Sequence, residues 1–114
     1  MISERKEKQF DESQYEILIK CSDKGDLTQW NEWRENNQKV SILLEGANFI
    51  SANLAGADLW KANLKGAKFI AAIVDRQTFI WGCEFDKQTV FTGRGLCLVR
   101  IEPCMKESLR INLN

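Results

Sequence analysis

The sequence predicts an all-β solenoid of about three four-sided coils, with helices at its N-terminal end and a short helix at its C-terminal end. Three observations predict it. The middle of the chain repeats every five residues: Gly46-Ala-Asn-Phe-Ile, Ser51-Ala-Asn-Leu-Ala, Gly56-Ala-Asp-Leu-Trp, Lys61-Ala-Asn-Leu-Lys, Gly66-Ala-Lys-Phe-Ile. A period of five fits neither a helix nor the alternation of a strand, so five residues form one side of something that turns a corner each time. Gly46, Gly56 and Gly66 also fall every ten residues, which disfavours a helix. Finally, Val74-Asp-Arg-Gln-Thr-Phe-Ile returns eleven residues later as Phe85-Asp-Lys-Gln-Thr-Val-Phe, so each copy reads as a side with one residue inserted at a corner.

With that phasing, the large inward residues run Leu44, Phe49, Leu54, Leu59, Leu64, Phe69, Val74, Ile80, Phe85, Phe91, Leu96 and Ile101. From Phe49 to Phe91 each has a small residue two places before it: Ala47, Ala52, Ala57, Ala62, Ala67, Ala72, then Thr78, Cys83 and Thr89. Arg94 and Val99 fit that small position poorly. If four sides close one coil, twenty residues make one turn, and successive coils stack about 4.8 Å apart, the spacing of paired strands. Stacking then predicts four columns: Leu44/Leu64/Phe85, Phe49/Phe69/Phe91, Leu54/Val74/Leu96 and Leu59/Ile80/Ile101.

These five Ala-x-(Leu/Phe) units resemble the pentapeptide-repeat family, whose consensus is roughly Ala-(Asp/Asn)-Leu-x-x. The resemblance implies a right-handed quadrilateral β-helix and covers roughly half the chain. The phasing into twelve sides places the β-helix at residues 41–102, with a charged arm and two-helix cap at 1–40 and a C-terminal helical cap or tail at 103–114.

The end segments follow from the need to cover exposed coil edges. Tyr15, Leu18 and Ile19 give residues 12–21 an amphipathic helical pattern, which Lys24-Gly25 ends. Asp26 with Gln29 has the spacing of a capping box for a second helix. Leu27, Trp30 and Trp33 share a face of that helix and are expected to cover the first coil. At the other end Pro103 opens a short helix carrying Met105, Leu109 and Leu113. That helix could cover the last coil or pair with a second copy, so a homodimer through the C-terminal coil is an open arrangement.

Composition excludes several functions. The chain has 114 residues, 16 Lys plus Arg, 16 Asp plus Glu and no histidine. A general nucleic-acid binder carries a basic excess, and this chain has none. Without histidine, Ser-His and Cys-His nucleophiles and His-ligated metals are excluded. The cysteines at 21, 83, 97 and 104 lack metal or redox spacing and read as free thiols, with Cys83 an inert core residue and Cys97 and Cys104 at best redox handles. Gly93-Arg94-Gly95 lacks the context of a phosphate loop and reads as a turn. Asp75 and Asp86 fall on different sides and do not form a carboxylate pair. No signal peptide, membrane span, myristoylation site or C-terminal lipidation motif is visible, so the expected location is cytoplasmic. No cofactor, metal or catalytic residue is expected, nor a nucleic-acid or membrane partner.

The outward positions carry the functional signal. The residue after each centre points outward, and residues one coil apart become neighbours. One face reads Glu45, Lys65, Asp86, a charge ladder that sets register and solubility. Another pairs Ile50 with Ile70, and a third stacks Trp60 with Trp81 near Lys61 and Arg100. Exposed apolar patches mark interaction sites. Two readings stay open: the N-terminal helices fold over these faces, or Trp60, Trp81, Ile50 and Ile70 form a partner surface. The expected function is therefore a non-enzymatic scaffold for an unidentified protein. The alternative, implied by the resemblance, is a DNA mimic that binds a type II topoisomerase (gyrase). Against it stands a short rod, on the order of 15 Å for three coils, in which residues 41–102 hold six acids and seven bases.

Overall fold

The computed structural model of the chain describes residues 9–92. Two helices come first: α1, Glu12–Lys24, and α2, Thr28–Asn36. Asp11 caps α1, its carboxylate accepting the Gln14 N–H at 3.1 Å. Gly25 ends α1 with φ 71°, a left-handed conformation that favours glycine. The N–H groups of Gly25 and Asp26 then return to the carbonyls of Ser22 and Cys21. The Asp26–Gln29 capping box does not form, because α2 starts at Thr28. Asp26 instead accepts from the Thr28 hydroxyl at 2.6 Å and the Thr28 N–H at 3.0 Å, which holds its carboxyl below its ordinary range.

From Leu43 the chain winds in five-residue sides. Each corner is a four-residue turn, in which the alanine N–H donates back to the carbonyl of the preceding centre: Ala47 to Leu44, Ala52 to Phe49, Ala57 to Leu54, Ala62 to Leu59, Ala67 to Leu64. The third residue of each turn has positive φ, as a type II turn requires. Gly46 (71°), Gly56 (81°) and Gly66 (73°) take it readily, while Ser51 (61°), Lys61 (60°) and Ala71 (59°) are forced into it. The glycines at ten-residue intervals are thus every second corner.

Successive turns pair in parallel. Leu43 bridges Asn63, Asn48 bridges Lys68, and Asn53 bridges Ile73, each twenty residues on. The interval grows to twenty-one at Asp58–Phe79 and Asn63–Glu84, and to twenty-two at Lys68–Val90. Each step marks one inserted residue, as the eleven-residue echo predicts. Only one residue of a short side meets its neighbour before the next corner. Regular strands are therefore few among the described residues: β1, Lys68–Ile70, pairs with β2, Val90–Thr92, and puts Phe69 over Phe91. The rest of the ladder consists of single bridges.

The expected inward residues from Leu44 to Ile80 are buried, and so is Phe91. Each buried Leu or Phe stabilises the fold by about 1.5–3 kcal/mol. Phe49, Phe69 and Phe91 form a stacked column with ring centroids 5.1 and 4.3 Å apart, and Tyr15 of α1 extends it at 5.7 Å from Phe49. Phe85 and Cys83 are half-buried rather than core. The third members of the other columns, Leu96 and Ile101, lie outside the described residues. So do the charged arm up to residue 8, Arg94, Cys97, Arg100, Cys104 and the C-terminal helix.

The two inserted sides share one device. Asp75 Oδ1 accepts from Gly56 N at 3.0 Å, Gln77 N at 3.0 Å and Thr78 N at 3.2 Å. Thr78, which takes the alanine's place, donates its hydroxyl to Leu54 O one turn back at 2.8 Å. Asp86 and Thr89 repeat these contacts against Gly66 and Leu64. Cys83 occupies the same small position and donates Sγ–H to Leu59 O at 2.7 Å. The extra residue therefore builds a local Asp–Thr box that grips the preceding turn.

The leading edge of the first turn is paired side by side with N-terminal groups. Residues 9–11 run antiparallel to Leu43–Glu45, with Asp11 N donating to Leu43 O and Glu45 N to Gln9 O. Gln14, fully buried, donates to Ser41 O at 2.9 Å and accepts Leu43 N at 2.8 Å. On the second side Tyr15 donates its hydroxyl to Asn48 O, and on the third Ser22 Oγ accepts Asn53 N. On the fourth, Trp30 Nε1 and Arg34 Nη1 both donate to Asp58 O, and Asn31 Oδ1 accepts Asp58 N. An unpaired strand edge is a template for further pairing, and these groups remove it.

Candidate partner surface

The fourth side carries the aromatic face. Asp58-Leu59-Trp60 lies against Phe79-Ile80-Trp81, held by Leu59 N to Phe79 O at 2.8 Å, Phe79 N to Ala57 O at 2.9 Å and Lys61 N to Trp81 O at 3.0 Å. With Leu59 and Ile80 turned inward, Trp60 and Trp81 turn outward on adjacent turns, 44% and 41% exposed. The N-terminal helices border this face without covering it: Arg34 of α2 donates Nη2 to the Trp60 carbonyl at 2.7 Å.

The two indoles are neighbours but do not stack on each other. Among the described residues, the ring contacts of this face are Phe79 with Trp81, centroids 5.8 Å apart, and the Lys61 ammonium 4.5 Å above Trp60. Lys61 reaches that position because Gly82 lies beneath its stem; a Cβ there would sit 3.0 Å from Lys61 Cγ. Arg34 is largely buried. Burial pulls its guanidinium down in pKa, and Asp58 at 3.9 Å partly restores it.

Ile50 and Ile70 lie on the second side, with Ser51 N bonded to Ile70 O at 2.8 Å. Both are exposed. The second and fourth sides are opposite sides of a four-sided turn, so the four candidate residues form two separate patches. Sequence reasoning missed Ile73, at 52% the most exposed large apolar residue among the described residues, and Val40 at 44%. The signal for Ile73 was available: it stands directly before a centre, where Asn48, Asn53, Asp58 and Asn63 are polar. Phe79 breaks the pattern in the same way.

The charge ladder takes a different form. Lys65 pairs with Glu84 at 3.4 Å rather than with Asp86. Asp86 is held in its Thr89 box, and Glu45 accepts from Gln9 N and Asn63 Nδ2. Burial pushes the Cys83 thiol up to about 12. Cys21 and Cys83 are free thiols. Among the described residues, no group of three or more His, Cys, Asp or Glu is placed to hold a metal ion. None of their helices is long and apolar enough to cross a membrane.

No curated protein and no solved structure matches the chain significantly. A family model described as pentapeptide repeats (8 copies) matches residues 43–75. The match ends at Asp75, where the first Asp–Thr box interrupts the five-residue frame. Such repeats form β-helical solenoids in general, and the twenty-residue bridges above are their inter-turn ladder. Over residues 43–75, by sequence and by stacking, the chain carries pentapeptide repeats.

Proposed function

We propose that this protein is a rigid, non-enzymatic scaffold that binds another protein through the Trp60/Trp81 face. Pentapeptide-repeat proteins are in general structural repeat proteins that act through protein interaction. The observation that carries the reading is the pair of half-exposed indoles on adjacent, hydrogen-bonded turns. Tryptophan is enriched at the centres of interfaces, and a solenoid face presents it without an ordering cost. Ile50 and Ile70 form a second, smaller patch on the opposite side.

The finer architecture belongs to the same proposal. It is a right-handed β-helix of about three coils over residues 41–102, capped by residues 1–40 and 103–114, in a cytoplasmic protein. In the gyrase-binding alternative a continuous acidic face would be needed. The inter-turn Lys65–Glu84 pair and the cations Lys61, Lys68 and Arg76 interrupt any such face.

The test is affinity capture from host lysate with wild type and Trp60→Ser/Trp81→Ser, the variant first shown to be folded by circular dichroism. A protein captured by wild type and lost in the variant supports the scaffold. Identical capture by both removes the tryptophans from the interface. Inhibition of DNA supercoiling at micromolar protein would favour the gyrase alternative instead.

A further inference from the structure

We propose that the groove beside Trp60 takes an acidic peptide, one that sets carboxylates next to apolar side chains. This rests on the reading of the Trp60/Trp81 face as a partner surface and names the partner's chemistry. The groove holds about 220 Å³ and runs between the segment that follows α2 and the Lys61 corner. Arg34, Lys39 and Lys61 line it, and no acidic residue does. Asp58 already offsets Arg34, but Lys39 and Lys61 take part in no ion pair among the described residues. Lys61 instead has its ammonium over the Trp60 ring, a contact that leaves its charge open to an anion.

The groove is also apolar. Val40 and Trp60 are each 44% exposed and both border it. Two ammonium groups with no ion pair among the described residues, beside two wet apolar side chains, ask for a ligand that alternates carboxylate and hydrocarbon. Such a ligand gains charge pairing and apolar burial in one short segment. A nucleic-acid strand answers the charge and can stack a base on Trp60, but it leaves Val40 unmatched. It would need a basic track longer than this groove, and the chain carries 16 acids against 16 bases. The main-chain frame is fixed before the ligand arrives: Arg34 donates to the carbonyls of Asp58 and Trp60, and Lys61 N to Trp81 O.

The test is an NMR titration of the ¹⁵N-labelled full chain. The probes are a pool of hexapeptides alternating Glu or Asp with Leu, Ile, Phe or Trp, the corresponding Lys/Arg pool, and oligothymidylate. The acidic pool is expected to shift the Trp60 indole N–H and the amides of residues 38–42 and 60–61. Lys39→Glu/Lys61→Glu should weaken that binding by about tenfold or more; if this variant does not fold, Lys39→Gln/Lys61→Gln replaces it, with a smaller loss in the same direction. No shift at millimolar acidic pool, equal response to the basic pool, tighter binding of oligothymidylate, or an affinity indifferent to both lysines overturns the proposal.

Lysate capture separates this failure from failure of the partner surface. If Trp60→Ser/Trp81→Ser loses a partner that the lysine variant keeps, the surface stands and the acidic-peptide proposal falls. If the tryptophan pair changes no captured protein while the acidic pool still binds the groove, the acidic-peptide site stands and the two-tryptophan surface falls.

Discussion

Replacing Asp75 with alanine tests whether the inserted sides are held by their Asp–Thr boxes. Asp75 Oδ1 collects three backbone N–H groups, from Gly56, Gln77 and Thr78. Not all are lost outright in Asp75→Ala. Gly56 N keeps a longer bond to Thr78 Oγ1 at 3.3 Å, and Thr78 N keeps the Asp75 backbone carbonyl at 3.1 Å. Gln77 is exposed and can turn its N–H to water. The net loss is then about one charge-assisted hydrogen bond, roughly 1.5–3 kcal/mol. Asp75→Asn keeps an acceptor oxygen in the same place and should cost less than about 1 kcal/mol. Urea unfolding followed by circular dichroism measures both, with the slope unchanged if only stability moves. Asp86→Ala severs the same set against Gly66 and should match Asp75→Ala within about 1 kcal/mol. Alanine and asparagine behaving alike, or alanine costing under about 0.5 kcal/mol, would refute the box as the reason for the extra residue.

Three further outcomes follow from the same geometry. Leu59→Asp places a carboxylate at a fully buried position and should unfold the protein, whereas Lys61→Asp, two residues on and exposed, should shift the melting temperature little; equal damage would invert the inward and outward assignment. Ala71 sits at φ 59°, so Ala71→Gly should raise stability by about 0.5–1 kcal/mol despite the added freedom of the unfolded chain, read as a higher urea midpoint. Cys83, with its thiol pushed up to about 12 by burial, should alkylate at pH 8 roughly a thousandfold more slowly than an ordinary thiol, measured by peptide mapping after iodoacetamide. Because the folded value is raised, the thiol's share of stability is intact below about pH 9 and is lost as pH rises toward 12.

The repeat was legible because its period is a physical constraint at every turn. A side of five residues has one inward centre and one inward small residue, so Leu44 to Ile80 could be placed without the fold in hand. The insertions at 75–78 and 86–89 were legible as an echo in the letters. Their purpose was not, since the partners of Asp75 and Asp86 are Gly56 and Gly66, about twenty residues earlier and recognisable only once the turns are stacked. Gln14 was invisible for a related reason. A polar residue on a helix reads as a solvated position, yet here it satisfies the unpaired backbone of Ser41 and Leu43. The exposure of Trp60 and Trp81 needed the path of α2, which touches Trp60 through Arg34 and leaves its ring uncovered. Lys65 chose Glu84 over Asp86 because the box had already engaged Asp86.

Hydroxyl-radical footprinting of the four tryptophans tests the central claim most directly, that repeat phasing turns Trp60 and Trp81 outward while the helical tryptophans close onto the coil. Trp30 is fully buried and stacks on half-buried Trp33 with centroids 5.5 Å apart. Oxidation at Trp60 and Trp81 should proceed within about two- to threefold of the rate in an unfolded control, with Trp30 protected by about tenfold or more. Protection of Trp60 and Trp81 equal to that of Trp30 would contradict the account and remove the surface on which the proposed function stands.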